Sequence, residues 1–220
     1  MLVKDYMTRH PVMVEPGTSV VEVQGIMAET RVRHLPVTEK GKRLVGLVTR
    51  QRLLADPSRL ASLNVWEITR YLSNLTVKDV MVKGRDLVTI HPDATLEEAA
   101  QIMARKKIGC LPVVEEGIVV GIITEDDLLN KLSDILGGTV SGVRVTMLVP
   151  DRTGEFAKVT GVIAAHGWGI YASGGVPAPK KAGYWHFVVK VRNVSKEDLV
   201  AALERIEGQQ VVDAREVTLD

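Results

Sequence analysis

The chain repeats itself. Val3-Lys4-Asp5-Tyr6-Met7 returns as Val77-Lys78-Asp79-Val80-Met81, Leu35-Pro36-Val37 returns as Leu111-Pro112-Val113, and Gly46-Leu47-Val48-Thr49 returns as Gly121-Ile122-Ile123-Thr124. A Leu-Leu pair follows each time, Leu53-Leu54 and Leu128-Leu129. The offset is 74 residues at Met7/Met81, 76 at Pro16/Pro92 and 75 at Gly46/Gly121, so short insertions and deletions separate the copies. A repeat of this kind sets the unit of folding. Two such units can pack about a pseudo-twofold axis, and the cleft between them is a natural ligand site.

Each copy reads as strand, helix, strand, strand, helix around a small sheet, an α/β arrangement. Ser19-Val20-Val21-Glu22 and Thr95-Leu96-Glu97-Glu98 read as capping boxes, with the hydroxyl on an early amide and the carboxylate reaching back. Val20, Val23, Ile26 and Met27 recur at helical spacing, as do Leu96, Ala99, Ala100 and Met103. Polar turns containing Gly41 and Gly117 then separate two strands in each copy. Between the copies, Leu60, Leu63, Ile68 and Leu72, with Trp66 and Tyr71, predict helical pieces packed on the repeats, and Pro57 predicts a break where they begin.

After Leu136 the pattern changes. Gly137-Gly138-Thr139-Val140-Ser141-Gly142 reads as a short flexible linker. Beyond it come a strand from Val143 and a helix carrying Phe156, Val159 and Ile163 that Gly167 can end. Strands follow over 168–173 and 184–191, joined by a long Gly/Pro loop. A helix capped by Ser195 and a strand over 211–219 close the chain. The order βαββαβ is a split-βαβ or ferredoxin-like plan. The expected division is a first repeat over 1–56, a helical linker over 57–76, a second repeat over 77–136, a flexible linker over 137–142 and a third domain over 143–220.

The chemistry concentrates at Gly121-Ile122-Ile123-Thr124-Glu125-Asp126-Asp127. A buried strand ends there, and a hydroxyl and a carboxylate three residues apart fall on the first turn of a helix. Free amides and the positive helix end attract an anion at such a place. Thr124 can donate to a phosphate oxygen, and ionised Asp127 can accept from two vicinal ribose hydroxyls. The same residues also make an ordinary helix cap.

Occurring twice, behind a helix, Leu-Pro-Val and a turn, this pattern resembles a CBS-domain pair over Val3 to about Leu136. The resemblance implies adenosine nucleotides or related adenosyl ligands in clefts between the repeats, with Gly121, Thr124 and Asp127 matching the family's Gly-hydrophobic-hydrophobic-Thr/Ser-x-x-Asp motif. It implies that the basic segment of one repeat faces the acidic residue of the other. Arg33 and His34, with Arg31, are therefore candidates for the phosphates, and adenine would rest near Thr89 and Ile90. The first repeat departs from the motif. It keeps Gly46 and Thr49 but places Arg52 where the aspartate is expected, and a guanidinium has no acceptor for a ribose hydroxyl. Lys107 would face Arg52, so that cleft is expected to be degenerate or altered. In the tail, Asp151-Arg152-Thr153-Gly154-Glu155-Phe156-Ala157 resembles the first loop of an ACT domain over about Val143 to Val217. That resemblance implies side-by-side pairing and an amino-acid effector or interface site at Asp151 and Gly154, Gly154 allowing close backbone approach.

Other classes of function find little support. A net charge of +1 gives no overall field for nucleic acid or membrane, and no apolar run spans a bilayer. The opening Met1-Leu2-Val3-Lys4-Asp5 lacks a signal-peptide pattern. One cysteine, Cys110, fits a reducing cytosol and reads as a small buried residue. The five histidines show no metal-ligand spacing, and there is no Walker A sequence. The expectation is a cytoplasmic regulatory sensor, not an enzyme. It is similar to the acetoin-utilisation regulatory protein family and is expected to form a homodimer, with AMP, ADP, ATP or S-adenosylmethionine as candidate ligand and no required cofactor. A regulated enzyme is a possible partner. The alternative is a structural protein that binds none of these, oligomerises and docks a partner.

Overall fold

The computed structural model describes residues 1–53, 66 and 74–218. Most of the expected helical linker, with Leu60, Leu63, Ile68, Tyr71 and Leu72, lies outside the described residues. Trp66 is described, and at 85% exposure it does not pack on the repeats as predicted. The chain divides into two compact units, Met1–Leu128 and Leu129–Asp220.

In chain order, the first repeat comprises α1 (Val3–Tyr6), β1 (Thr8–Arg9), α2 (Val20–Glu29), β2 (His34–Glu39), β3 (Arg43–Thr49) and a 3-10 turn over Arg50–Leu53. The second comprises α3 (Val77–Val80), a 3-10 turn over Gly84–Asp86, α4 (Leu96–Lys106), β4 (Cys110–Glu115), β5 (Ile118–Thr124) and α5 (Glu125–Ile135). The hairpins β2–β3 and β4–β5 join at Arg43 and Ile118 in one sheet, and β1 adds to β5. The strand expected to open each repeat shrinks to a single parallel bridge, Val14 to Val37 and Ile90 to Val113. Prolines at 11, 16 and 92 flank these residues and cannot donate to a longer ladder.

The caps differ in completeness. Thr95 and Glu98 form the full reciprocal box, whereas Ser19 accepts from the Glu22 amide without a return bond.

The repeats trade their opening segments. The amides of Val3 and Lys4 donate to the carbonyls of Ala94 and Pro92, and those of Val77 and Lys78 donate to Thr18 and Pro16. Val3 is fully buried in the core of Ile90, Leu96, Met103, Leu111 and Ile123, while Val77 is fully buried in that of Val23, Leu35, Val37 and Val48. A third small cluster, Leu47, Cys110 and Ile122, takes residues from both repeats. Each repeat completes its core with the other's first turn, so neither buries its apolar surface alone.

The second unit comprises β6 (Gly142–Pro150), α6 (Glu155–Ala165), β7 (Gly169–Pro177), β8 (Tyr184–Arg192), α7 (Lys196–Leu203) and β9 (Gln210–Val217). Its antiparallel sheet runs β7-β8-β6-β9, the ferredoxin-like order. Strand β7 extends through Gly174 and Gly175 to Pro177, further than the predicted end at Ser173, which shortens the predicted Gly/Pro loop. The space above Gly175 accounts for part of this, because a β-carbon there would strike the Phe156 ring at 2.9 Å. Gly167, at φ 72°, follows α6 as expected, and Ser195 caps α7 through the Asp198 amide.

Candidate functional site

Thr124 ends β5, and the next residue starts α5. Asp127 Oδ2 accepts from the Thr124 amide at 2.8 Å and from Thr124 Oγ1 at 2.7 Å, and the Asp127 amide donates back to Thr124 Oγ1 at 3.3 Å. All of these bonds to the carboxylate fall on Oδ2. Among the described residues Oδ1 has no hydrogen-bond partner, so it remains as an acceptor for a ligand hydroxyl. The capping bonds thus occupy one oxygen of the side chain and leave the other open.

The first repeat reaches this turn. Arg33, just before β2, places Nη2 2.5 Å from Asp126 Oδ2, with the side chains about half and about two-thirds exposed. The cross-repeat approach of the basic segment is therefore present, but its anion is Asp126. His34 begins β2, opposite Thr49 in the ladder. Burial holds its imidazole below the ordinary histidine range, and the Arg33 charge adds to this against the opposing pull of Glu125 and Asp126. His34 is thus a neutral hydrogen-bonding group at pH 7 rather than a second cation. Arg31 occupies the left-handed turn after α2 at φ 56°, as Lys107 does after α4 at φ 55°. Both are exposed, and no hydrogen bond or ion pair of the described residues engages either side chain. Thr89 is exposed beside Ile90, whose N–H donates to the Pro112 carbonyl and whose carbonyl accepts from Val114, so both backbone groups of Ile90 are occupied.

The first copy of the motif has half of this arrangement. Thr49 Oγ1 accepts from the Arg52 amide at 3.3 Å, and among the described residues no carboxylate closes the bond from the other side. The chain there takes a 3-10 turn over Arg50–Leu53. Gly109 and Cys110 occupy the positions that Arg33 and His34 hold in the first repeat. The Gly109 carbonyl accepts the Glu125 amide, and the Glu125 carboxylate lies 3.2 Å from where a β-carbon of residue 109 would stand. Cys110 is buried, as expected, and desolvation aided by Glu125 pushes its thiol up to about 12.

In the second unit, Asp151 and Gly154 lie in the exposed turn between β6 and α6. The Asp151 amide donates to the Gly183 carbonyl at 2.8 Å. Gly154 takes φ 87° at the N-cap of α6, and a β-carbon there would meet nothing within 4 Å. Within this chain its glycine answers to backbone conformation rather than to the close approach expected of it. Among the described residues no group of three His, Cys, Asp or Glu side chains is placed to hold a metal, and no helix is long and apolar enough to cross a membrane.

Asp126 was not singled out from the sequence. It belongs to the acidic run Glu125–Asp127, but its partner stands 93 positions away, and only the packing of the two repeats brings them together.

Two hairpin-bearing repeats with exchanged first turns, and a Thr–Asp clasp where β5 meets α5, define a paired-repeat domain of the CBS type. The CBS-domain family model matches residues 3–57 and 77–134, more than half of the chain, and the chain belongs to the CBS-domain family. It is 36% identical over 136 residues to the uncharacterized protein MJ1225 of Methanocaldococcus jannaschii, an alignment covering 59% of this chain and 46% of that one. The chain thus spans less than half the length of this curated relative. It resembles the structure of the acetoin utilization protein AcuB of Vibrio cholerae with a TM-score of 0.52 and 31% identity, over 62% of this chain and 93% of that one. CBSX2 of Arabidopsis thaliana, solved in complex with AMP, is similar with a TM-score of 0.50 and 30% identity, over 60% of this chain and 95% of that one.

Proposed function

We propose that the chain is a regulatory sensor that binds an adenosine nucleotide or adenosyl ligand between its CBS repeats. Asp127 takes the ribose hydroxyls on Oδ1, and Thr124 and the first-turn amides of α5 face the phosphate side. Arg33, His34 and Arg31 supply the first repeat's contribution, and adenine lies against Thr89 and the apolar Ile90. The carrying observation is the Asp127 carboxylate, fixed on one oxygen by Thr124 and open on the other, within one turn of a guanidinium from the opposite repeat. The AMP complex of the CBSX2 structure supports this choice of ligand class. The Thr49–Arg52 copy lacks the acceptor, so its cleft does not take a nucleoside in the same manner.

The second unit, in this reading, is an ACT domain. Its βαββαβ order and the Asp151–Gly154 turn support that assignment, and through it the chain forms a cytoplasmic homodimer or binds an amino acid. Ligand in the CBS cleft favours one arrangement of the repeats, and the regulated partner responds to that shift in population. The chain then acts as a regulator and not as an enzyme.

Calorimetry with AMP, ADP, ATP and S-adenosylmethionine tests the reading. At least one should bind, and Asp127→Ala should weaken it by about 1.5–3 kcal/mol, the value of a hydrogen bond to a charged group. Silence of every adenosyl ligand, together with silence of amino acids in a thermal-shift panel, would favour the scaffold instead.

A further inference from the structure

Asp126 stands beside the ribose acceptor and has no part in the reading above, but its partner has. Its carboxylate turns to Arg33 of the other repeat, whereas that of Asp127 turns back to Thr124. Arg33 is the first repeat's cation at the first turn of α5, brought there by its ion pair with Asp126. That turn carries three carboxylates, Glu125, Asp126 and Asp127.

A guanidinium is always charged and presents a planar fork that fits carboxylate and phosphate alike. Asp126 and a ligand phosphate therefore compete for the same donors. A phosphate that wins Arg33 also leaves the Asp126 carboxylate unpaired beside it, and the repulsion grows with each further negative charge on the ligand.

We infer that Asp126 is a specificity-determining residue that competes with ligand phosphate for Arg33, so that the site prefers adenosyl ligands of low negative charge to nucleoside polyphosphates. The inference rests on the adenosine reading of Thr124 and Asp127. Within that reading it divides the labour of the turn: Asp127 selects the nucleoside, and Asp126 grades its phosphates.

The test is calorimetry on the full chain with adenosine, AMP and ATP, for the wild type, Asp126→Asn, Arg33→Gln and the double variant. Asp126→Asn keeps the shape and removes the charge. It should tighten AMP about two- to fivefold, in keeping with an exposed ion pair, tighten ATP at least as much, and leave adenosine within about twofold. The gain should shrink at high salt, because both pair and repulsion are solvent-exposed. In the Arg33→Gln background most of the gain should vanish, since no guanidinium remains to be released. Equal changes for adenosine and AMP, or an undiminished gain without Arg33, would overturn the role of Asp126 while leaving the adenosine site standing. Failure of all three probes to bind either the wild type or Asp126→Asn would overturn this role, and silence of ADP and S-adenosylmethionine as well would remove the adenosine site itself.

Discussion

The Met7 sulfur lies in the space that a β-carbon on Gly121 would fill, and the Thr8 carbonyl stands 3.0 Å from that point. The second copy repeats the contact with Met81 over Gly46 and the Val82 carbonyl at 3.1 Å. The glycine of each motif therefore exists for the methionine of the other repeat. Gly121→Ala should destabilise the chain by about 1–3 kcal/mol, the cost of overpacking a filled core, because backbone as well as the flexible methionine must move. Met7→Ala in the same chain should recover part of that loss in urea unfolding. Strict additivity of the two changes would refute the contact.

Much of this was legible in the sequence because it is local or duplicated. The helix at Thr95 announces itself by a hydroxyl and a carboxylate three residues apart, and the structure closes that box in both directions. The recurrence of Met7 and Gly121 as Met81 and Gly46 was visible, but not that the members touch crosswise, since a repeat reveals equivalence and not contact. Asp126 was hidden for the same reason. The strand expected to open each repeat falls short because the prolines beside Val14 and Ile90 limit the pairing to one bridge.

The clasp between Thr124 and Asp127 joins stability to binding, and two substitutions should separate them. Asp127→Asn keeps an acceptor for the Thr124 amide and hydroxyl, so its stability should stay within about 1 kcal/mol of the wild type, while ligand affinity falls with the charge. Thr124→Val removes the hydroxyl that serves both partners and should cost about 1–2 kcal/mol as a lost cap. Denaturant melts without ligand, followed by titration with AMP, read the two effects apart. A large loss of stability in Asp127→Asn with unchanged affinity would make the residue a cap alone.

His34 gives the first repeat an acid sensitivity of known sign. Its pKa is lowered in the folded chain, chiefly by burial and then by Arg33, so the unfolded chain binds the proton more readily as pH falls through about 6.5. Stability contributed by neutral His34 is present above that pH and lost below it. The wild type should therefore lose stability relative to His34→Gln between about pH 7 and pH 5, as measured by urea midpoints at fixed salt. A constant difference across that interval would show that the imidazole titrates as it does in water.

Lys190 offers the opposite end of the pH scale. It is 2% exposed on β8, and its Nζ donates to the Gly137 carbonyl at 2.8 Å, which ties the glycine-rich segment after α5 to the sheet. That segment is thus anchored at Gly137, where composition alone predicts freedom. Burial, and then the Arg144 charge, lowers the lysine pKa below its ordinary value of 10.5. The folded chain accordingly sheds the proton at lower pH than the unfolded chain does. Between the two pKa values the unfolded state holds more protons, so stability rises with pH until about 10.5 and is level below the folded value. Lys190→Met removes the titration and leaves the Gly137 carbonyl only its long bond from the Val140 amide at 3.4 Å. The stability of the wild type measured against this variant should increase from pH 7.5 to pH 10 in paired urea melts. A difference that stays flat or declines over that interval would mean that the ammonium is solvated, contrary to its position beneath Gly137.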